Sequence, residues 1–356
     1  MKGDGGSKKA AYLQLYERMR RDIEAGAWVY GSKVPSKRVM AADYGVSVIT
    51  VEHAYGLLCD EGYLEARQRS GYFVCFRPGE QFPVGSKKAA VRTRGEYTQD
   101  FPVSVFARAM RRVIAEYQDM LLSRSPGKGC DELRQAISRY LARSRGMEAA
   151  PEQIIVGAGA EYLYGLVVEM LGRERIFAIE DPSYEKIEKV YMARGVACEK
   201  LTLGQDGIDS RGLAASVASV LHITPYRSFP SNVTASASKR REYICWAGAA
   251  DRFIVEDDFA SEFTLAHKPE ETVFSLREKG NVIYLNTFSQ TISPSVRAGY
   301  MVLPREMLKL YEERVGFYAC TVPAFEQYAL AELIDGGEFE RHINRVRRKR
   351  RKETEK

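Results

Sequence analysis

The stretch from Pro35 to Val74, PSKRVMAADYGVSVITVEHAYGLLCDEGYLEARQRSGYFV, leaves the chain the fewest choices. Pro35 sets up a helix entry and Ser36 can cap it, so VMAADY reads as a short helix. Gly45 ends that helix where a left-handed residue is useful. Ser47 can cap a second helix, whose apolar face is Val51, Ala54, Tyr55 and Leu58, spaced three and four apart. Gly62 stops it. Two short strands are then expected, Tyr63 to Ala66 and Tyr72 to Val74, around a turn of Gln68, Arg69, Ser70 and Gly71. Upstream, Tyr12, Leu15, Tyr16, Met19 and Ile23 share one helical face, and Gly26 closes that helix as the support of the pair.

Two short helices joined at a glycine make a helix-turn-helix, and a basic hairpin after it makes the motif winged. In that arrangement the second helix enters the major groove with its first residues toward base edges. Ser47, Val48, Thr50 and His53 then face DNA, and Arg38, Arg67 and Arg69 hold phosphates or a minor groove. The bland alternative is a helical pair and hairpin with no nucleic-acid role. The stretch also resembles the winged-helix domain of GntR-family regulators, whose pattern is P-S-x-R, then V-S-R-x-T-V-R, then G-x-L and a wing ending G-x-F-V. The DNA-binding set expected here is Ser36, Arg38, Ser47, Thr50, His53, Arg67, Arg69 and Gly71. Val48 and Glu52 stand where the family often has arginines, so a different operator is implied, and Glu52 would repel a phosphate it faced.

A formal charge of +6 is compatible with a nucleic-acid partner without demanding one. The six cysteines, Cys59, Cys75, Cys130, Cys198, Cys245 and Cys320, have neither metal-type nor redox-type spacing, which suits reduced thiols in a cytoplasmic protein. The N-terminus has no apolar signal core, no run is long enough to span a membrane, and no internal repeat is present.

Residues 76–100 mix Pro, Gly and charge without periodicity and read as a linker. Its basic cluster Lys87 to Arg94 is either a solvated face or a phosphate contact. From Phe101 the texture becomes α/β. Val105 to Tyr117 and Asp131 to Arg145 are amphipathic helices, the second burying Leu133, Ile137, Tyr140 and Leu141. QIIVG, RIFAIE, SVLHIT, RFIVED, NVIYLN and GYMVLP are apolar runs of strand length, several separated by helical segments. That alternation predicts a mostly parallel sheet covered on both faces, with ligands at the carboxyl ends of its strands. Four candidate strand ends fall at 157–162, 180–184, 256–263 and 287–297. At the first, the backbone N–H groups of Gly159, Ala160 and Glu161 open a helix where an anion is favoured, although a plain helix start has the same sequence.

Together the four segments resemble the aminotransferase-like, fold type I domain that MocR/GabR regulators carry behind a GntR winged helix. The resemblance runs from about Phe101 to Arg341, and EDDFASEF with TFSQTISPSVRAGY carries most of it. It implies a pocket for pyridoxal 5′-phosphate or a related amino compound. Asp257 would pair with the pyridine nitrogen, Thr287, Ser289 and Arg297 would hold the phosphate, and Tyr184 would lie near the ring or the effector. Three departures matter. The Schiff-base lysine of the family is Gln290 here, and an amide has no nucleophilic amine. The tyrosine two residues after the pairing aspartate is Phe259, which donates no hydrogen bond. The sequence stops at RHINRVRRKRRKETEK, which resembles the start of the long helix leading to the family's small C-terminal subdomain, so a C-terminally truncated domain is expected. Its basic run is either a frayed helix end or a second phosphate-contacting tail. The pocket then binds the cofactor without a covalent link, or reads another ligand, or is vestigial.

The expected architecture is therefore a winged helix-turn-helix over 1–75, a linker over 76–100, an aminotransferase-like effector and dimerisation domain over 101–341, and a basic helix start over 342–356. The expected function is a cytoplasmic, homodimeric, DNA-binding transcription regulator that senses pyridoxal phosphate or a small amino compound, or whose large domain only dimerises. The alternative is a pyridoxal-phosphate-dependent aminotransferase with an appended DNA-binding domain.

Overall fold

The computed structural model describes residues 10–68, 70–77, 101–249, 251–259, 261–264, 270–277 and 280–354. The chain divides into two compact units, Met1–Gly95 and Glu96–Lys356. The Lys87 to Arg94 cluster and Arg69 lie outside the described residues.

In the first unit, α1 (Ala11–Glu24), α2 (Lys37–Tyr44) and α3 (Val48–Asp60) precede a hairpin of β1 (Leu64–Arg67) and β2 (Gly71–Val74). The punctuation acts as the sequence suggests. Ser36 Oγ accepts from Val39 N, Ser47 Oγ accepts from Thr50 N, and Gly45 takes φ +63° between the two helices. The periodic faces meet in one core of Leu15, Met19, Ile23, Val51, Tyr55 and Leu58, closed by Tyr63 and Val74. Buried Tyr55 donates its hydroxyl to Pro35 O at 2.8 Å, which fastens α3 to the entry of α2. The strands start one residue later than the sequence implied on one side and one earlier on the other. Tyr63 N still closes the helix end on Leu58 O, so pairing begins at Leu64 opposite Val74.

The second unit runs α4 (Val103–Tyr117), α5 (Asp131–Arg145), β3 (Ile154–Gly157), α6 (Ala160–Leu171), β4 (Ile176–Asp181), α7 (Glu185–Ala193) and β5 (Ala197–Thr202). It continues through α8 (Ser210–Ala215), β6 (Val220–Ile223), α9 (Ala237–Ala247), β7 (Phe253–Asp257), α10 (Val273–Leu276), β8 (Val282–Thr287) and β9 (Gly299–Val302). It closes with α11 (Leu308–Arg314), α12 (Ala324–Asp335) and α13 (Glu338–Thr354). The seven-stranded sheet has the order β3-β9-β8-β7-β6-β4-β5. Among the described strands, only β9 runs against its neighbours. Successive strand residues point to opposite faces. Ile154, Val156, Ile254 and Tyr284 thus enter one core with α5 and α12, and Ile155, Val255, Ile283 and Leu285 enter another with α6 and α7. This two-sided burial is why the strands read as continuous apolar runs.

The sequence missed β5. It is an edge strand, and ACEKLT carries charge on positions that water reaches. The last helix begins at Glu338, before the basic run, because Phe339 and Ile343 are core residues. Farther along it, Arg347 donates to Glu262 O at 2.6 Å and Arg350 lies 4.6 Å from the Phe263 ring centroid. The basic run is therefore packed on the domain through these two side chains. Among the described residues no helix is long and apolar enough to cross a membrane.

Candidate functional site

The amino end of α3 projects from the winged-helix core. Ser47, Val48, Ile49 and His53 are exposed, Thr50 is half-buried, and Val51 behind them is fully buried. The Ser47 hydroxyl also bonds Thr50 Oγ1 at 2.8 Å, so the cap and two of the residues expected to face DNA are the same groups. Arg38 is exposed on α2. Glu52 does not stand alone. Lys37 Nζ sits 2.5 Å from its Oε1 and holds the Glu52 carboxyl below its usual range, which offsets its repulsion of a phosphate. On the hairpin, Arg67 lies over the Phe73 ring and pairs with Glu65 at 3.1 Å. Gly71 pairs with Arg67 at the tip with φ +107°, and a Cβ there would stand 3.1 Å from Lys33 Cε. Lys33 and Lys37 therefore add charge beside the wing.

In the second unit a cavity of about 420 Å³ opens at the carboxyl ends of the parallel strands. Asp257 ends β7 and Thr287 ends β8, and both line it with Ser289, Gln290 and Arg297 from the segment after β8. Ala160 and Glu161 enter from the start of α6, and Tyr184 from the turn before α7. Gly159 caps α6 at φ +85°, and a Cβ there would stand 3.4 Å from Arg297 Nη2. The residues chosen from four separate segments are thus brought to one place.

Asp257 is buried, and its two oxygens differ. Oδ2 accepts from the Tyr164 hydroxyl and lies 3.6 Å from His222 Nε2, whereas Oδ1 has no hydrogen-bond partner among the described residues. On the far side of the imidazole, Tyr191 Oη is 2.7 Å from His222 Nδ1. Burial and the Asp257 charge push both tyrosine hydroxyls well above their ordinary pKa, so both remain donors. An open carboxylate oxygen in such a site is the acceptor that a protonated ring nitrogen requires, and leaving it unmade is unfavourable.

Comparison with known proteins agrees with this geometry. Residues 11–74 match the bacterial regulatory proteins of the gntR family, and residues 93–356 match aminotransferase class I and II. The chain is 30% identical to YdeL of Bacillus subtilis (strain 168), named an uncharacterized HTH-type transcriptional regulator, over 96% of this chain and 77% of YdeL. It is also 30% identical to MocR of Rhizobium meliloti, named a probable rhizopine catabolism regulatory protein, over 95% of this chain and 74% of that one. The chain belongs to the MocR-type regulators of the GntR family. The second unit shares its fold with LysN, the α-aminoadipate aminotransferase of Thermus thermophilus, solved with N-(5′-phosphopyridoxyl)-L-leucine. That match has TM-score 0.62 and 25% identity, and covers 70% of this chain and 64% of LysN.

Within this MocR-type pocket one side chain does what the sequence did not suggest. Glu161 contributes a carboxylate as well as a backbone N–H. It pairs with Lys186 at 2.8 Å and with Arg297 at 3.6 Å, and Lys186 chiefly holds its carboxyl below the usual range. Phe259 lines the cavity beside Gln290, giving an apolar wall with no donor. The sequence missed Tyr164, Thr224, Lys186 and Phe229, which also line the cavity, and His222 and Tyr191 behind it. Tyr164 and His222 sit inside the apolar runs of α6 and β6, where a polar residue has no periodic signature.

Proposed function

We propose that this regulator binds double-stranded DNA through the amino end of α3 and the β1–β2 hairpin, and that its aminotransferase-like unit senses pyridoxal 5′-phosphate or a related amino compound held without a covalent bond. The observation that carries the reading is Gln290: it lines a cavity built around a buried carboxylate with an open oxygen, at the place where attachment would need an amine. Asp257 would hold the ring nitrogen. The N–H groups at Gly159, Ala160 and Glu161, with Thr287, Ser289 and Arg297, would hold the phosphate, Arg297 on release from Glu161. Tyr184 would flank the ring. When bound, the cofactor supplies an aldehyde and an electron-withdrawing ring.

Lys186 supports no enzymatic alternative. Its ammonium is paired with Glu161 and its pKa is raised, first of all by that hydrogen bond. It stays protonated and is a poor nucleophile. Without a free amine to exchange with substrate and to move protons, we infer that the chain catalyses no amino transfer. The proposed boundaries are 1–75 for the winged helix, 76–100 for the linker, 101–341 for the sensing unit and 342–356 for the basic helix.

We also propose a cytoplasmic homodimer joined through the sensing units, since two half-sites multiply a modest affinity per module. Supporting it, Leu122 is 90% exposed, Phe317 72% and Phe325 46%, which is much apolar side chain to leave in water. The reading is tested by duplex-DNA affinity with and without pyridoxal 5′-phosphate, beside an assay of amino transfer. A ligand-dependent affinity with no transfer supports it. Measurable transfer by the purified chain overturns it in favour of the aminotransferase alternative. DNA affinity that the ligand leaves unchanged reduces the large unit to dimerisation.

A further inference from the structure

Two carboxylates line the large cavity among the described residues, Asp257 and Glu161. They are placed differently. The Asp257 side chain is 3% exposed, whereas that of Glu161 is 41% exposed, in the first turn of α6. An acid there is favoured by the amino end of the helix. Its two oxygens take two different cations. Oε1 lies 2.8 Å from Lys186 Nζ of α7, and Oε2 lies 3.6 Å from Arg297 Nη2. Lys186 and Arg297 are the cations that line the cavity among the described residues, so both turn toward one carboxylate.

That carboxylate belongs to a residue whose own backbone N–H is part of the proposed phosphate cradle. Arg297 already lies against the cradle, since a Cβ on Gly159 would stand 3.4 Å from its Nη2. An anion accepting from the N–H groups at 159–161 and from Arg297 would therefore sit within one side chain's reach of the Glu161 carboxylate. Like charges that close repel, and the rings of Phe229 and Phe259 on the cavity wall reduce the screening. The charge balance shows the size of the effect. Lys186 and Arg297 would offer two positive charges to a phosphate monoester of about −1.5 to −2 at pH 7. With Glu161 ionised, the three side chains offer only one. The hydrogen bond between them holds the Glu161 carboxyl below its usual range and raises the Lys186 ammonium, so both are charged at neutral pH.

We propose that Glu161 is a built-in competitor for the phosphate group: a phosphorylated ligand must draw Arg297 away from its carboxylate, and binds more weakly than the N–H groups and the two cations would otherwise allow. For a sensor the consequence is a raised threshold, with the pocket filling only at higher cofactor concentration. Half-exposed ion pairs are individually weak, so the threshold moves by a modest factor. This inference rests on reading the large cavity as a pyridoxal-phosphate-type site.

The test is equilibrium dialysis of the full chain with pyridoxal 5′-phosphate and with pyridoxal, which differ only by the phosphate. Glu161→Gln keeps the size of the side chain and the backbone N–H and removes the charge, and at a half-exposed position it leaves the fold intact. The preference for the phosphorylated probe is expected to rise by about three- to tenfold over wild type. The rise should shrink at high salt, which screens the repulsion. In an Arg297→Gln background the same substitution should gain less, because release of the arginine is part of the gain. An unchanged or reduced preference in Glu161→Gln overturns the inference and leaves Glu161 as a strap between the starts of α6 and α7. A gain just as large without Arg297 also overturns it, since no competition for the arginine would then exist. If pyridoxal 5′-phosphate binds neither wild type nor Glu161→Gln, the pyridoxal-phosphate reading fails and takes this inference with it.

Discussion

His222 Nε2 stands 3.6 Å from Asp257 Oδ2, while Tyr191 Oη bonds the Nδ1 of the same imidazole at 2.7 Å. A tyrosine hydroxyl that donates to Nδ1 leaves Nε2 as the ring N–H that faces the carboxylate. The arrangement backs the charge of Asp257 from inside the protein and leaves its Oδ1 open toward the cavity. Asp257→Asn should therefore weaken pyridoxal 5′-phosphate binding by about 10- to 100-fold, the range for a hydrogen bond to a charged group. Equilibrium dialysis checks this. An unchanged affinity would mean that the ring nitrogen lies elsewhere.

At the wing, Arg67→Ala should weaken binding to a random-sequence duplex and lower the slope of log affinity against log salt by about 0.9, one phosphate contact. Fluorescence anisotropy at several salt concentrations gives both numbers. An unaltered slope would remove Arg67 from the phosphate contacts and leave its pairing with Glu65 as its role.

Within the winged-helix core, Tyr55→Phe removes the hydroxyl that fastens α3 to Pro35 O and leaves the ring packing intact. A loss of about 1 kcal/mol is expected, the net worth of one hydrogen bond, larger if the stranded carbonyl stays dry. Urea unfolding of the isolated residues 10–77 would read it, provided that piece folds alone, and the full chain serves otherwise.

A group of buried carboxyls makes stability depend on pH. Glu256 is pushed up to about 7, chiefly by burial. Glu262 is raised by burial and then by Asp258, and its Oε2 has no hydrogen-bond partner among the described residues. Such a carboxyl binds its proton more tightly in the folded chain than in the unfolded one. Its stabilisation is complete below the unfolded value near about 4.3 and is lost as pH rises through about 7. Glu262→Gln keeps a neutral group beside Asn286 and should flatten the fall in thermal midpoint between about pH 5 and 8, raising it at the upper end. An identical profile in the variant would show that Glu262 is not the titrating group.

Much of this was legible in the sequence for identifiable reasons. Ser36, Gly45 and Ser47 are punctuation with a local mechanism, so the helix pair could be placed almost to the residue. Strands buried on both faces announce themselves, and β5, exposed at an edge, did not. The residues of the large cavity came from motif resemblance, and folding brings them to one set of strand ends. What sequence could not provide were partnerships across long separations. Tyr164 and Asp257 are 93 residues apart, and nothing local in α6 signals that its tyrosine meets a carboxylate. Likewise Arg350 looked like one charge in a basic run, and only the fold seats it over Phe263.

Non-covalent binding in the large cavity is tested most directly by equilibrium dialysis of pyridoxal 5′-phosphate against wild type and Gln290→Lys, followed by borohydride reduction and intact-mass measurement. Saturable binding by both is expected, with a cofactor-sized mass increase only in the lysine variant and full release of the ligand from the wild type on further dialysis. A mass increase on the wild type, mapped to a lysine of the cavity such as Lys186, would contradict it. So would wild-type protein that retains no ligand at any concentration while Gln290→Lys binds it.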